Sequence, residues 1–150
     1  MYMVKITKRD KALISCLRED ARITLTQMSK KTRIPISTLY DRLKAQKGSL
    51  IMKHTTLLNF DALGFGTRVQ LVMRVPPHER DALQQHLSYH AQVNNVFELA
   101  AGFDYMVEAI FRLPKDLKEF VSQLQQRFPT MEYQSHFITK DIKREGFVAS

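Results

Sequence analysis

Six side chains within residues 37–44 have the chemistry to read a polyanion. Ser37, Thr38 and Tyr40 donate and accept hydrogen bonds, Asp41 accepts them, and Arg42 and Lys44 add positive charge. Presented on one face of a helix, such groups reach base edges and phosphates in a DNA major groove. Lys30, Lys31 and Arg33, just upstream, are suited to neutralising phosphates. Truncating Arg42 to alanine is expected to weaken specific binding by roughly 1–3 kcal/mol. Asp41 either accepts from a cytosine amino group or spends its charge on Arg42 or Lys44.

These residues need a scaffold, and the surrounding pattern predicts one. Thr24 suits an N-cap, and Gln27 three residues on completes a capping box. Met28 then points inward. Pro35 pushes the residue before it out of the α region, so the first of two short helices stops there. A second helix starts at Pro35 or Ile36, with Leu39 and Leu43 one turn apart on its inner face. The two form a helix-turn-helix with residues 36–47 as the recognition helix. Ahead of them, residues 7–19 form a helix capped by Thr7, with Leu13, Ile14 and Leu17 on its buried face. Asp10 lies at the positive end of that helix dipole. With Ile23, Met28, Ile34, Leu39 and Leu43 these residues make a small core. About fifty residues is marginal for independent stability, so packing on a partner subunit is expected.

The bulk composition agrees with a folded protein. A chain of 150 residues makes one ordinary domain or two small ones. It is 44% apolar and 25% charged, which is a globular rather than a disordered balance. No run of about 18 apolar residues could span a membrane. The absence of an apolar leader makes a cytoplasmic location the expectation. Cys16 is the only cysteine, so no intrachain disulfide or cysteine-cluster metal site is possible, and it reads as a small apolar helix residue. The net charge of +8 is unevenly divided: residues 1–54 carry +9 and residues 55–150 carry −1. A basic N-terminal part beside a neutral C-terminal part is the footprint of a nucleic-acid-binding module joined to something else.

The rest of the chain reads as a β-α-β-β-α-β succession. Gly48-Ser49 breaks the recognition helix, and residues 50–58 are apolar and β-branched enough to predict a short strand. Strands follow over 68–75, 93–101, 105–112 and 132–142, with helices from about His78 to Tyr89 and from Pro114 to Phe128. Pro114 suits the first turn of its helix. Two helices on one face of a four-stranded antiparallel sheet make the ferredoxin-like arrangement. Its other face needs covering, most simply by a second copy. The fold class is therefore α+β: a three-helix, winged-helix-like helix-turn-helix domain (1–48), a linker with a strand (49–67) and a ferredoxin-like domain (68–150).

The string Asp10-x-x-Leu13-Ile14-x-x-Leu17-x-x-Asp20-Ala21-Arg22-x-Thr24, followed by Met28-Ser29, Ile34 and Ser37-Thr38-Leu39-x-x-Arg42-Leu43, resembles the Lrp/AsnC (feast/famine) family of transcriptional regulators. The second half is similar to the ligand-sensing domain of that family, so the likeness runs over about residues 7–145. It departs at Arg33, where the family has glycine, at Pro35, which replaces a serine cap, and at Gln46, which replaces a core leucine. A non-glycine residue with positive φ at Arg33 costs roughly 1 kcal/mol. The resemblance implies a linker strand paired with its symmetry mate. It also implies an amino acid or other small effector bound at a subunit interface near Gly102, Phe103, Asp104 and Tyr105. There Gly102 would let backbone N–H groups approach a carboxylate, and Asp104 would accept from an ammonium; the alternative is that the two only shape and cap a hairpin.

The leading expectation is a sequence-specific, double-stranded-DNA-binding regulator, dimeric or a higher homo-oligomer, with no resident cofactor and no metal. Two recognition helices would enter successive major grooves about 34 Å apart. His86 and His90, at i and i+4, have no third ligand to complete a metal site. No glycine-rich phosphate loop, nucleophile motif or paired catalytic carboxylates are present, so no enzyme is expected. Two rivals remain. One is a siroheme decarboxylase-like enzyme of the same two-domain plan, recruiting His54 or His136. The other is a sequence-indifferent chromatin protein, with steep salt dependence and little sequence preference.

Overall fold

A computed structural model describes residues 5–148. The chain forms two compact units: one runs to Leu57 and takes in the segment from Ile142 onward, and the other is Leu58–Asp141. The expected outer limits of the two domains, residues 1 and 150, lie outside the described residues.

The first unit is three helices, α1 (Lys8–Glu19), α2 (Leu25–Thr32) and α3 (Ile36–Gln46). Both expected N-caps form with full capping boxes: Thr7 with Asp10, and Thr24 with Gln27. Leu13, Cys16, Met28 and Leu39 are buried at the centre, with Leu17, Ile23, Leu25, Ile34 and Leu43 packed around them. This is a small apolar core, and a polar centre supplements it. The Asp10 carboxylate is fully buried. It accepts from the Thr7 backbone N–H at 2.8 Å and the Thr7 hydroxyl at 2.7 Å, from Arg42 Nε at 2.7 Å and from Gln46 Nε2 at 3.3 Å. A second guanidinium N–H of Arg42 reaches its other oxygen. One carboxylate thus ties the start of α1 to the C-terminal half of α3. Gln46, standing where an apolar residue would be ordinary, is buried because its amide feeds this centre.

After α3 the chain turns tightly, with a single Lys47–Ile51 bridge. Residues 52–58 meet no pairing segment of this chain among the described residues, so the strand expected over 50–58, in pairing with its symmetry mate, is one that only a second copy could complete. The C-terminal segment belongs to this unit rather than to the sheet. Arg18 on α1 donates from Nε to the Phe147 carbonyl at 2.8 Å and from a terminal nitrogen to the Glu145 carbonyl at 2.6 Å.

The second unit is β1 (Thr67–Arg74), a short 3-10 turn (Pro77–Glu79), α4 (Arg80–Tyr89), β2 (Val93–Glu98), β3 (Tyr105–Phe111), α5 (Pro114–Arg127) and β4 (Glu132–Phe137). Every pairing is antiparallel, in the order β2-β3-β1-β4. This is the ferredoxin-like arrangement. Alternation along β1 sends Val69, Leu71 and Met73 to the helical layer, where Leu83 and Leu87 of α4 and Phe120 and Leu124 of α5 meet them. Burying each of these leucines stabilises the unit by about 2 kcal/mol. On the opposite face, which also carries Gln70 and Val72 of β1, the Arg68 guanidinium is held by Glu108 at 2.7 Å and Asp141 at 2.7 Å and lies over the Phe60 ring. The last strand ends at Phe137, short of its expected limit at 142.

The Arg42 guanidinium, with help from the Thr7 N–H, holds the Asp10 carboxyl well below the usual carboxylate range. A folded-state value below the unfolded one stabilises the fold fully above about pH 4, and this contribution drains away as pH falls from there. Urea titrations should therefore show the helical unit weakening below about pH 4. Asp10→Ala should remove that part of the acid dependence and cost about 3 kcal/mol at neutral pH, the low end for a broken buried pair, because Arg42 can turn to water. Arg33, the residue closing α2, has φ 59° and ψ 28°. Arg33→Gly should raise stability by about 1 kcal/mol in the same assay, since only the arginine carries a Cβ penalty there.

Candidate nucleic-acid interface and effector loop

The turn between α2 and α3 is locked by short polar side chains. Ser29 Oγ donates to the Ile34 carbonyl at 2.6 Å, and Thr32 Oγ1 donates to the Met28 carbonyl at 2.8 Å and accepts from the Ile34 N–H at 3.3 Å. Pro35 caps α3 without any side-chain bond, its φ of −56° already suited to entering a helix. Leu39 and Leu43 then set the rotation of α3 against the core.

The face turned to solvent carries Ser37, Tyr40, Asp41 and Lys44, with Thr38 half-buried at its margin. None of these five has a hydrogen-bond or ion-pair partner among the described residues. Ile36, 47% exposed, and Tyr40, 54% exposed, stand one turn apart with Lys44 a further turn on. Ile36 is absent from the sequence-derived set. Its position at the helix start gives an apolar group suited to a thymine methyl. Its spacing of three and seven residues from Leu39 and Leu43 sets it on their side of a helical wheel, so no signal in the sequence marked it as exposed.

Arg42 is the main correction. It is turned inward onto Asp10, with its side chain about a third exposed, so it orients the recognition helix instead of projecting from it. Asp41 pairs with neither Arg42 nor Lys44. Lys30 and Arg33 are exposed and unpaired among the described residues, whereas Lys31 is spent on an exposed ion pair with Glu19, which raises the lysine's proton affinity.

In the sheet unit, residues 99–104 connect β2 to β3. Gly102 has φ 82°, and a Cβ there would meet nothing within 4 Å, so the glycine serves the turn and leaves open space beside it. Arg74 donates to its carbonyl at 3.2 Å and lies over the Phe103 ring at 5.4 Å. Asp104 is already satisfied, accepting from the Val75 N–H at 2.9 Å and pairing with Arg80 at 2.9 Å. Its expected role as acceptor for a free ammonium is therefore replaced by a hairpin-fixing one. Tyr105 is buried in the core with its hydroxyl donating to the Arg80 carbonyl at 3.2 Å, and is not a lining residue.

The His86 and His90 rings lie side by side, 5.7 Å between centroids, and the other histidines do not join them. His54 and His136 are exposed, one in each unit. His86 has its Nδ1 at 3.1 Å from Arg127, and burial together with that guanidinium lowers its proton affinity. Among the described residues no three metal-ligating side chains form a group, and no helix is long and apolar enough to cross a membrane.

Asp104→Ala leaves the Val75 N–H and Arg80 without their acceptor. It should lower the stability of the sheet unit by about 1–3 kcal/mol in urea titrations, without altering the helical unit.

Comparison with known proteins accords with this geometry. Residues 69–147 match the model of the Lrp/AsnC ligand binding domain, and residues 6–45 match that of a winged helix-turn-helix DNA-binding domain. The chain is 25% identical over 116 residues to the HTH-type transcriptional regulator FL11 of Pyrococcus furiosus, covering 77% of each chain. It is 25% identical over 122 residues to the transcriptional regulator AzlB of Bacillus subtilis, covering 79% of this chain and 78% of that one. Among solved structures, a transcriptional regulator of Neisseria meningitidis in complex with L-Met superposes with a TM-score of 0.84 at 21% identity, over 93% of this chain and 94% of that one. The sheet-unit match alone spans more than half of the sequence, and the chain belongs to the Lrp/AsnC family of helix-turn-helix transcriptional regulators.

Proposed function

We propose that this regulator acts as a homodimer, reads duplex DNA through the solvent face of α3, and responds to an amino acid near the β2–β3 connection. The observation that carries the DNA reading is the unspent polar face of α3, displayed by the part of the chain that holds the whole basic excess. Tyr40, Lys44, Ser37 and Asp41 address base edges, Thr38 and Ile36 flank them, and Lys30 and Arg33 meet phosphates. Two copies related by a two-fold axis would place these helices in successive major grooves.

The family's ligand-binding module and the L-Met complex of the Neisseria regulator support an amino acid effector. Gly102 and Phe103 border open space where a carboxylate can approach. The effector ammonium would need an acceptor other than Asp104. Such a ligand alters DNA binding only as far as it prefers one subunit arrangement to another.

Selection of bound sequences from a random duplex pool tests the reading. An inverted repeat with half-sites about one helical turn apart is expected. Salt-dependent binding with no enriched sequence would replace it with the chromatin reading. Lys30→Ala and Arg33→Gly should each lower the slope of log affinity against log salt by about 1, with sequence preference kept. Tyr40→Ala and Lys44→Ala should cost about 1–3 kcal/mol and relax the preference at one position of each half-site.

A further inference from the structure

A second concave site lies in the sheet unit, between α5 and the edge strand β4, well separated in sequence from the β2–β3 connection. It arises from one small residue. Along β4, Tyr133, Ser135 and Phe137 point to the helical layer, each opposite an inward residue of β1. The serine in the middle leaves a gap between two aromatic rings. The stripe of α5 facing it carries Leu117 and Val121, both buried, as an apolar floor. The resulting groove holds about 340 Å³, the lower end of the size that takes a small ligand.

Its polar groups are few and unspent. Lys118, Ser122 and Gln125 on α5, with Ser135 on β4, line the groove, and none has a hydrogen-bond or ion-pair partner among the described residues. Lys118 is the one formal charge in the lining; no carboxylate is there. An amino acid seated in it would place its ammonium beside that of Lys118 with no carboxylate in the lining, and such a like-charge contact is costly. A molecule with the same apolar body and carboxylate, but a neutral carbonyl in place of the ammonium, escapes that cost. Its carbonyl can accept from Ser122, Ser135 or the Gln125 amide.

We propose that the α5–β4 groove binds a small apolar monocarboxylate lacking an ammonium, with branched-chain keto acids as the class that fits. Lys118 holds the carboxylate through a charge-assisted bond, and Phe137, Tyr133, Val121 and Leu117 enclose the alkyl tail. The site is distinct from the effector loop and would report the deaminated partner of an amino acid.

Calorimetric titration of the full chain, without DNA, with ketoisocaproate and leucine as probes tests this. Saturable binding of ketoisocaproate, at least about tenfold tighter than leucine, is expected. Lys118→Gln should weaken it by about tenfold or more. Ser135→Phe, which fills the gap, should abolish it while circular dichroism and DNA affinity stay as in the parent. Equal binding of the two probes, no saturable binding at millimolar concentration, or binding untouched by both variants overturns the proposal. A change of oligomeric state in both variants without any ligand binding overturns it in favour of a second copy covering the groove. The titration needs no DNA, so its failure leaves the DNA reading standing.

Discussion

A single buried carboxylate holds the DNA-reading unit in shape. Three short helices around Leu13, Cys16, Met28 and Leu39 bury too little apolar surface to fix one mutual orientation. Asp10 supplies what the core lacks, because its two oxygens accept from both ends of the unit: Thr7 at the start of α1, and Arg42 and Gln46 on α3. Such bonds are directional where apolar packing is not. The angle at which α3 presents Tyr40 and Lys44 is therefore set by charge geometry on its hidden side. The guanidinium that the sequence offers as a reader of bases instead fixes the orientation of α3.

The two units are built on different economies. The sheet unit has a continuous apolar layer from β1 and β3 to α4 and α5, and it carries almost no net charge. The helical unit has a minimal core and the entire basic excess. Self-repulsion among its cations works against compactness, so capping boxes, the Ser29–Thr32 lock of the turn and the Asp10 centre together offset what burial does not provide. That division suits a regulator in which one part must meet a polyanion and the other must form a stable platform.

Much of this was legible in the residues, and the misses share a cause. Periodicity placed all five helices, and the Thr7 and Thr24 caps fell where local spacing put them, because those bonds join residues three apart. The ferredoxin-like order followed from alternation and the Pro and Gly breaks. Arg42 went astray because its partner lies 32 residues away, a distance no helical wheel spans. Tyr105 and Asp104 misled for the same reason: their partners come from the β1–α4 region, on another stretch of chain. Residues 50–58 have strand-like composition, but a strand is a relation between two segments, and composition speaks for one. The gap beside Ser135 likewise exists only because β4 and α5 meet.

The capture of the Glu145 and Phe147 carbonyls by Arg18 gives the molecule a built-in order of completion. Synthesis delivers α1 first, yet the groups that cover its Arg18 are translated only after the last strand of the sheet, which ends at Phe137. A nascent chain halted anywhere before residue 145 would lack the carbonyls that take up the Arg18 guanidinium, so the helical unit completes its own hydrogen bonds only once all four strands of the other unit have been synthesised.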